Sequence, residues 1–93
     1  MLDKIKLDLR INHDLMDEDI KDNIEACKLD LKRVGIVKTD DNDPLIIKAI
    51  KLWCRYQYNF ENEGDRYNRA YSMLRDALSL CGDYNVQWSN RAN

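Results

Sequence analysis

Apolar residues recur along this chain with the period of a helix. Ile20, Ile24, Cys27, Leu31 and Val34 follow one another at steps of four, three, four and three, which draws one stripe down a 3.6-residue helix. Asp17, Glu18 and Asp19 stand at its start and Lys32 and Arg33 at its end, the order that the helix dipole favours. Gly35 can take the positive φ that closes a helix, and Ile36 is placed to fold back onto the last turn. Asp43-Pro44 opens the next element. The Asp side chain can accept from a free N–H, and Pro fits the first helical position, where its missing N–H has no partner to lose. The spacing predicts a helix from Pro44 to about Asn59. Its apolar positions, Leu45, Ile46, Ile47, Ala49, Ile50, Trp53, Cys54, Tyr56 and Phe60, surround much of its circumference, as a central helix requires. Glu61-Asn62-Glu63-Gly64-Asp65 interrupts the pattern, with Asp65 the expected N-cap of a further helix. Tyr67, Ala70, Tyr71, Leu74, Ala77, Leu78 and Cys81 then return at helical spacing, and Gly82 is expected to close it. Near the N-terminus Leu2, Ile5 and Leu9 share one face, which favours a short helix over the competing alternation Ile5, Leu7, Leu9, Ile11. Asn12, His13 and Asp14 mark a turn after it.

Past Gly82 the period changes. Tyr84, Val86 and Trp88 alternate with Asn85 and Gln87, an extended pattern. The resulting expectation is an all-α fold: a small antiparallel bundle of three to four helices over residues 1–82, with an extended C-terminal tail over 83–93. Ile24, Cys27, Leu31, Ile50, Trp53, Leu74 and Leu78 form its expected core. Tyr84, Val86 and Trp88 are candidates for docking on a partner, with docking on the domain's own surface as the competing expectation.

Ninety-three residues make one domain, able to bury roughly 60–65% of its unfolded surface. Three Gly and one Pro argue against a β-rich fold with many tight turns and against a linker-like chain. The net charge of -2, from 15 basic and 17 acidic residues, argues against a dedicated nucleic-acid binder. No apolar run reaches the ~18–20 residues of a membrane span, and the first residues lack a signal core. Cys27, Cys54 and Cys81 are odd in number and widely spaced, so a disulfide framework is not expected and a reducing compartment is. Their equal spacing brings no matching flanks and no internal repeat.

Candidate chemistry is sparse. The single histidine, His13, stands in a turn. The three cysteines fall on apolar stripes, where a thiol packs as a small hydrophobe. Together they do not supply the paired ligand spacing of a zinc site. Asp40-Asp41-Asn42-Asp43 lacks the glycine and the distal Glu of an EF-hand. No Gly-rich phosphate loop or nucleophile elbow occurs. An enzyme is not expected, nor a cofactor, nor a metal. Charge segregation is the more informative feature. Between Pro44 and Phe60 stand Lys48, Lys51 and Arg55 and no acid, at steps that place them on one helix face. Arg66 and Arg69 follow. They are candidate interface or channel residues, against the plainer reading of a solvated face.

Several pieces, in this order, resemble the small phage head-tail connector proteins, also called head completion or adaptor proteins. They are Leu7-Asp8-Leu9-Arg10-Ile11, the acidic start Asp17-Glu18-Asp19-Ile20, Ile24-Glu25-Ala26-Cys27, Gly35-Ile36, Asp43-Pro44-Leu45-Ile46 with Ala49-Ile50, and Tyr58-Asn59-Phe60-Glu61-Asn62 ahead of Tyr67 and Tyr71. The family often has Ala where Cys27 stands, and the tail is not covered. The resemblance implies a non-enzymatic structural protein of a tailed phage or prophage. It implies a ring, commonly dodecameric, below the portal protein. Such a ring extends the channel through which DNA passes without sequence specificity, and offers a surface to a tail or stopper protein. The implied location is the head-tail junction of the virion, and the bacterial host cytoplasm during assembly, with no membrane partner. On this reading Tyr84, Val86 and Trp88 would dock on the portal or an adjacent subunit. Two rival classes are a generic small helical protein-interaction module and a nucleic-acid binder using the third helix.

Overall fold

The computed structural model describes residues 1–85. It is all-helical, with α1 over Leu2–Asp8, α2 over Asp17–Arg33, α3 over Pro44–Gln57 and α4 over Gly64–Ser79, plus 3-10 turns at Phe60–Asn62 and Gly82–Tyr84. The expected bundle is present. Central α3 packs against α4 and α2, and α1 lies against α2 and α3. Ile5, Ile20, Leu31, Ile36, Ile46, Ala49 and Ile50 have no exposed surface. Of the expected core, Ile24, Cys27, Leu31, Ile50 and Leu78 are buried, whereas Trp53 and Leu74 pack at its edge, half-exposed.

Local signals act where the sequence places them. Asp43 Oδ1 accepts from the N–H of Leu45 at 2.8 Å and of Ile46 at 3.4 Å, capping α3 over Pro44. Gly35 takes φ +94°, its N–H reaches Lys32 O at 3.0 Å, and the Ile36 N–H reaches Leu31 O at 3.0 Å. This paired closure carries Ile36 back into the core. The same closure ends α1 without a glycine. Arg10 takes φ 61°, while Arg10 and Ile11 donate to Leu7 O and Lys6 O at 3.2 and 2.9 Å.

Three junctions differ from the sequence expectation. α3 stops at Gln57 because Asn59 turns left-handed, at φ 48°. α4 starts at Gly64 rather than after Asp65. Asn59 Oδ1 accepts the Gly64 N–H at 2.9 Å, so the cap comes from five residues upstream. Gly82 does not close α4, which ends at Ser79. There the Ser79 hydroxyl bonds Asp76 O at 2.7 Å, and Asn85 Nδ2 donates to Ser79 O at 2.6 Å. The expected extended run from residue 83 is replaced, as far as Asn85, by the turn at Gly82–Tyr84 and a docked backbone: Val37 N–H donates to Tyr84 O at 2.9 Å. Val86 and Trp88 lie outside the described residues.

A side chain at the joint between α3 and α4 would displace the Asn59 cap. A Cβ on Gly64 would stand 2.7 Å from Asn59 Oδ1 and 3.4 Å from Tyr56 O. Gly64→Ala is therefore expected to destabilise the fold by about 1–3 kcal/mol, read as a lower urea midpoint. Leu31→Ala is expected to cost about 2–5 kcal/mol, and Leu74→Ala clearly less, because Leu74 keeps part of its surface in water. Equal midpoint shifts for those two would contradict the packing.

Candidate functional site

The polar side chains that the fold brings together hold helices to one another. Arg55 on α3 donates from Nε and Nη2 to both oxygens of Asp8 on α1, each at 2.8 Å, and from Nη1 to Tyr67 Oη at 3.1 Å. Its guanidinium lies 5.0 Å from the Phe60 ring centroid and 5.1 Å from that of Tyr67. Arg10 covers Phe60 at 5.6 Å and Arg66 covers Tyr67 at 5.7 Å. Arg10, Phe60, Arg55, Tyr67 and Arg66 thus alternate cation and ring, and such contacts strengthen as they lose water. The bonds from Asp8 push the Arg55 pKa upward. Asp8 and Arg10 come from the Leu7–Ile11 piece, and Phe60 and Tyr67 from the Tyr58–Tyr71 stretch. The sequence signal for this cluster was present in those pieces, but nothing in their spacing pairs them.

Three tyrosine hydroxyls donate to carboxylates across helices. Tyr71 Oη reaches Asp30 Oδ2 at 2.7 Å and Tyr84 Oη reaches Asp43 Oδ2 at 2.8 Å, while Tyr58 bonds Asp19 and accepts from Asn23 Nδ2 at 3.0 Å. The Tyr58 pKa is pushed up to about 12 by burial and by Asp19. That of Tyr84 rises to about 12 through its bond to Asp43, with burial adding. Burial alone would raise Asp30, but bonds from Tyr71, Arg33 and Arg75 outweigh it and hold Asp30 below the ordinary 3.8. Asp43 is lowered by Tyr84 first, then by the N–H groups it caps. Burial pushes the Cys27 and Cys54 thiols up to about 12. His13 is exposed, its Nδ1 accepting from the Leu15 N–H at 3.3 Å. Among the described residues no group of three or more His, Cys, Asp or Glu converges on a metal-binding arrangement.

Lys48, Lys51 and Arg55 line one open groove of about 360 Å³, shared with Asp8, Ile47 and Leu52. Lys48 is exposed and Lys51 half-exposed, whereas Arg55 is turned inward onto Asp8. Arg66 and Arg69 lie outside this groove, on the exposed face of α4. Arg66 pairs with Glu63 at 2.9 Å. Tyr84 is half-buried against Asp43. Large apolar side chains also face outward, chiefly Leu7, Leu15, Leu29, Met73 and Leu80, each at least 66% exposed.

Among the described residues the clustered titratable groups brace a helical scaffold, and apolar and charged faces are left to solvent. The chain belongs to the phage connector protein family, whose model matches residues 1–85 and so spans every described element. A connector is structural rather than catalytic, is a component of the phage particle and acts with other phage structural proteins. No curated protein and no solved structure matches the chain. No described helix is long and apolar enough to cross a membrane.

Two outcomes test this scaffold. Arg55→Lys keeps the charge but loses the fork and the stacking plane, so it is expected to cost about 1.5–3 kcal/mol. Lys48→Ala should stay within about 0.5 kcal/mol. Urea titrations of both read the difference. For Asp30 and Asp43 the folded pKa lies below the unfolded 3.8. Between those values the unfolded chain binds more protons, so their contribution, present above pH 3.8, is lost as pH falls through the folded pKa. Tyr71→Phe and Tyr84→Phe should each flatten the loss of stability between about pH 5 and about pH 2. Urea midpoints with the same acid dependence as the unmodified chain would refute this.

Proposed function

We propose that this protein is a head-tail connector, or adaptor, which forms a ring, dodecameric in the virion, below the portal protein. The ring extends the channel through which DNA passes without sequence specificity. Its far side offers the attachment surface for a tail or stopper protein. Subunits accumulate in the host cytoplasm before joining the particle at the head-tail junction. The family match across residues 1–85 carries this reading. The fold supports it with a bundle whose polar groups brace its own helices and whose apolar and charged faces turn outward.

Lys48 and Lys51 are assigned to the channel wall, where two cations without base-reading partners would meet phosphates. A contact of this pair with the Asp40-Asp41-Asn42-Asp43 loop of a neighbouring copy is disfavoured, because that loop is already engaged within its own subunit. Asp41 pairs with Lys28 at 2.7 Å, and Asp40 Oδ1 accepts the Asn42 N–H at 2.8 Å. Arg55 belongs to the scaffold and leaves the channel set. Arg66 and Arg69 belong to a contact between subunits. Tyr84 anchors the point from which the chain continues to Val86 and Trp88, the candidates for docking on the portal.

Purified protein incubated with portal rings, followed by negative-stain microscopy and mass measurement, tests the assignment. A ring seated on the portal is the expected result, and a protein absent from purified particles and indifferent to the portal would refute it. Lys48→Glu combined with Lys51→Glu is expected to assemble with far-UV helicity intact while particles lose DNA retention. Loss of the ring in that variant would move the pair to a contact between subunits, and normal packaging would return it to a solvated face.

A further inference from the structure

α4 carries a second stripe behind its core stripe. At about 100° per residue, Arg66, Arg69, Met73, Ala77 and Leu80 stand about 160–240° round the helix from Tyr71, which points into the bundle. All five are exposed, Met73 at 74% and Leu80 at 87%. α2 carries a matching feature. Glu18, Asp22, Glu25 and Leu29 stand about 100–160° round from Ile24, about 80–140° from Asp30, the residue that faces α4 through Tyr71. They are exposed too, Leu29 at 66%. Both stripes are open to solvent, and they lie on different helices of one subunit.

Their order is the same in chain direction and their charge is opposite. α2 runs acid, acid, acid, leucine, and α4 runs arginine, arginine, methionine, alanine, leucine. In each, the last charged residue precedes the first apolar one by four residues, about 6 Å along the axis. Glu18 is shared with Lys21 at 3.3 Å, and Arg66 with Glu63. Asp22, Glu25 and Arg69 have no ion-pair partner among the described residues. Beside Leu29 lies an open groove of about 400 Å³, lined by Glu25, Lys28, Lys32, Ile36, Val37 and Thr39, with Glu25 at its charged end and Ile36 and Val37 at its apolar side.

We infer that α4 of one copy docks parallel to α2 of the next copy of this chain. Arg66 and Arg69 meet Glu18, Asp22 and Glu25, and Met73 and Leu80 enter the groove beside Leu29. The contact joins unlike faces, so it repeats from copy to copy and closes when the rotation closes. Opposite charge sets the orientation, since an antiparallel pairing would place arginines against the groove and leucines against carboxylates. The inference rests on the reading of the protein as a ring-forming subunit and assigns that ring its two faces.

Cysteine pairing tests it. Cys81 is only partly buried and is first changed to Ala. Into that chain go Leu29→Cys in one preparation and Leu80→Cys in another, and the two are mixed with portal rings and oxidised. A cross-link that appears only in the mixture supports the contact. Cross-linking within either single preparation means a like-with-like interface and overturns it. Rings on the portal without the mixed cross-link overturn it as well, and leave the connector reading standing. A mixed cross-link in a protein that ignores the portal supports the contact while removing the connector reading. No cross-link and no ring removes both.

Discussion

The guanidinium of Arg55 is the polar group that ties α1, α4 and the turn between α3 and α4 to the central helix. It carries the Asp8 carboxylate of α1, the hydroxyl of Tyr67 on α4 and the ring of Phe60 in the turn between α3 and α4. A lysine has one compact charge and no plane, so it could serve one of these partners but not all three. The pair with Asp8 is mostly covered by protein. Its value lies less in Coulomb energy, which desolvation offsets, than in fixing which side of α3 the short α1 must lie on. Seven residues of helix have little stability of their own. Docked by Ile5 below and Asp8 above, α1 becomes a wall of the core.

Tyrosine does the equivalent work elsewhere. A domain this small buries a limited apolar core, and α2 and α4 meet only weakly. The Tyr71–Asp30 bond, with Arg75 at 3.4 Å from the same carboxylate, spans that gap with a side chain that is apolar along its ring and polar at its tip. Tyr58 does the same between α3 and the start of α2, and Tyr84 between the C-terminal turn and the cap of α3. Asp43 is used twice, one oxygen on the helix N-terminus and the other on Tyr84. The start of the central helix and the end of the described chain are thereby held by a single residue.

The helices were legible because a helix announces itself by period and by its ends. The Ile20–Val34 stripe, Gly35-Ile36 and Asp43-Pro44 each act through bonds within a few residues, and each appears as expected. The joints that misled, at Gly64–Asp65 and at Gly82, are those where a distant group replaces the local signal. Asn59 supplies the cap that Asp65 was expected to provide, and Asn85 supplies what Gly82 was. The charges were legible as a face but not as partners. Lys48, Lys51 and Arg55 share a groove as their spacing requires, yet no spacing shows that an aspartate 47 residues earlier holds Arg55. The ring stack through Arg10 and Arg66 was equally hidden, since its members come from three separate segments. Family membership was readable because those same segments stand in a recognisable order.

The two buried thiols turn this bundle into its own clock. Cys27 sits between α2, the Ala49 carbonyl of α3 and the Tyr71 hydroxyl of α4, and Cys54 has no exposed surface. Thiolate is the reacting form, so neither can be alkylated until the helices around it part. Cys81, at the rim, carries no such lock. The chain therefore holds one partly exposed sulfur at its rim and two buried ones that count openings. A subunit whose neighbours clamp its outer helices would slow that count without altering its own contacts, so the rhythm of labelling would separate free subunits from assembled ones.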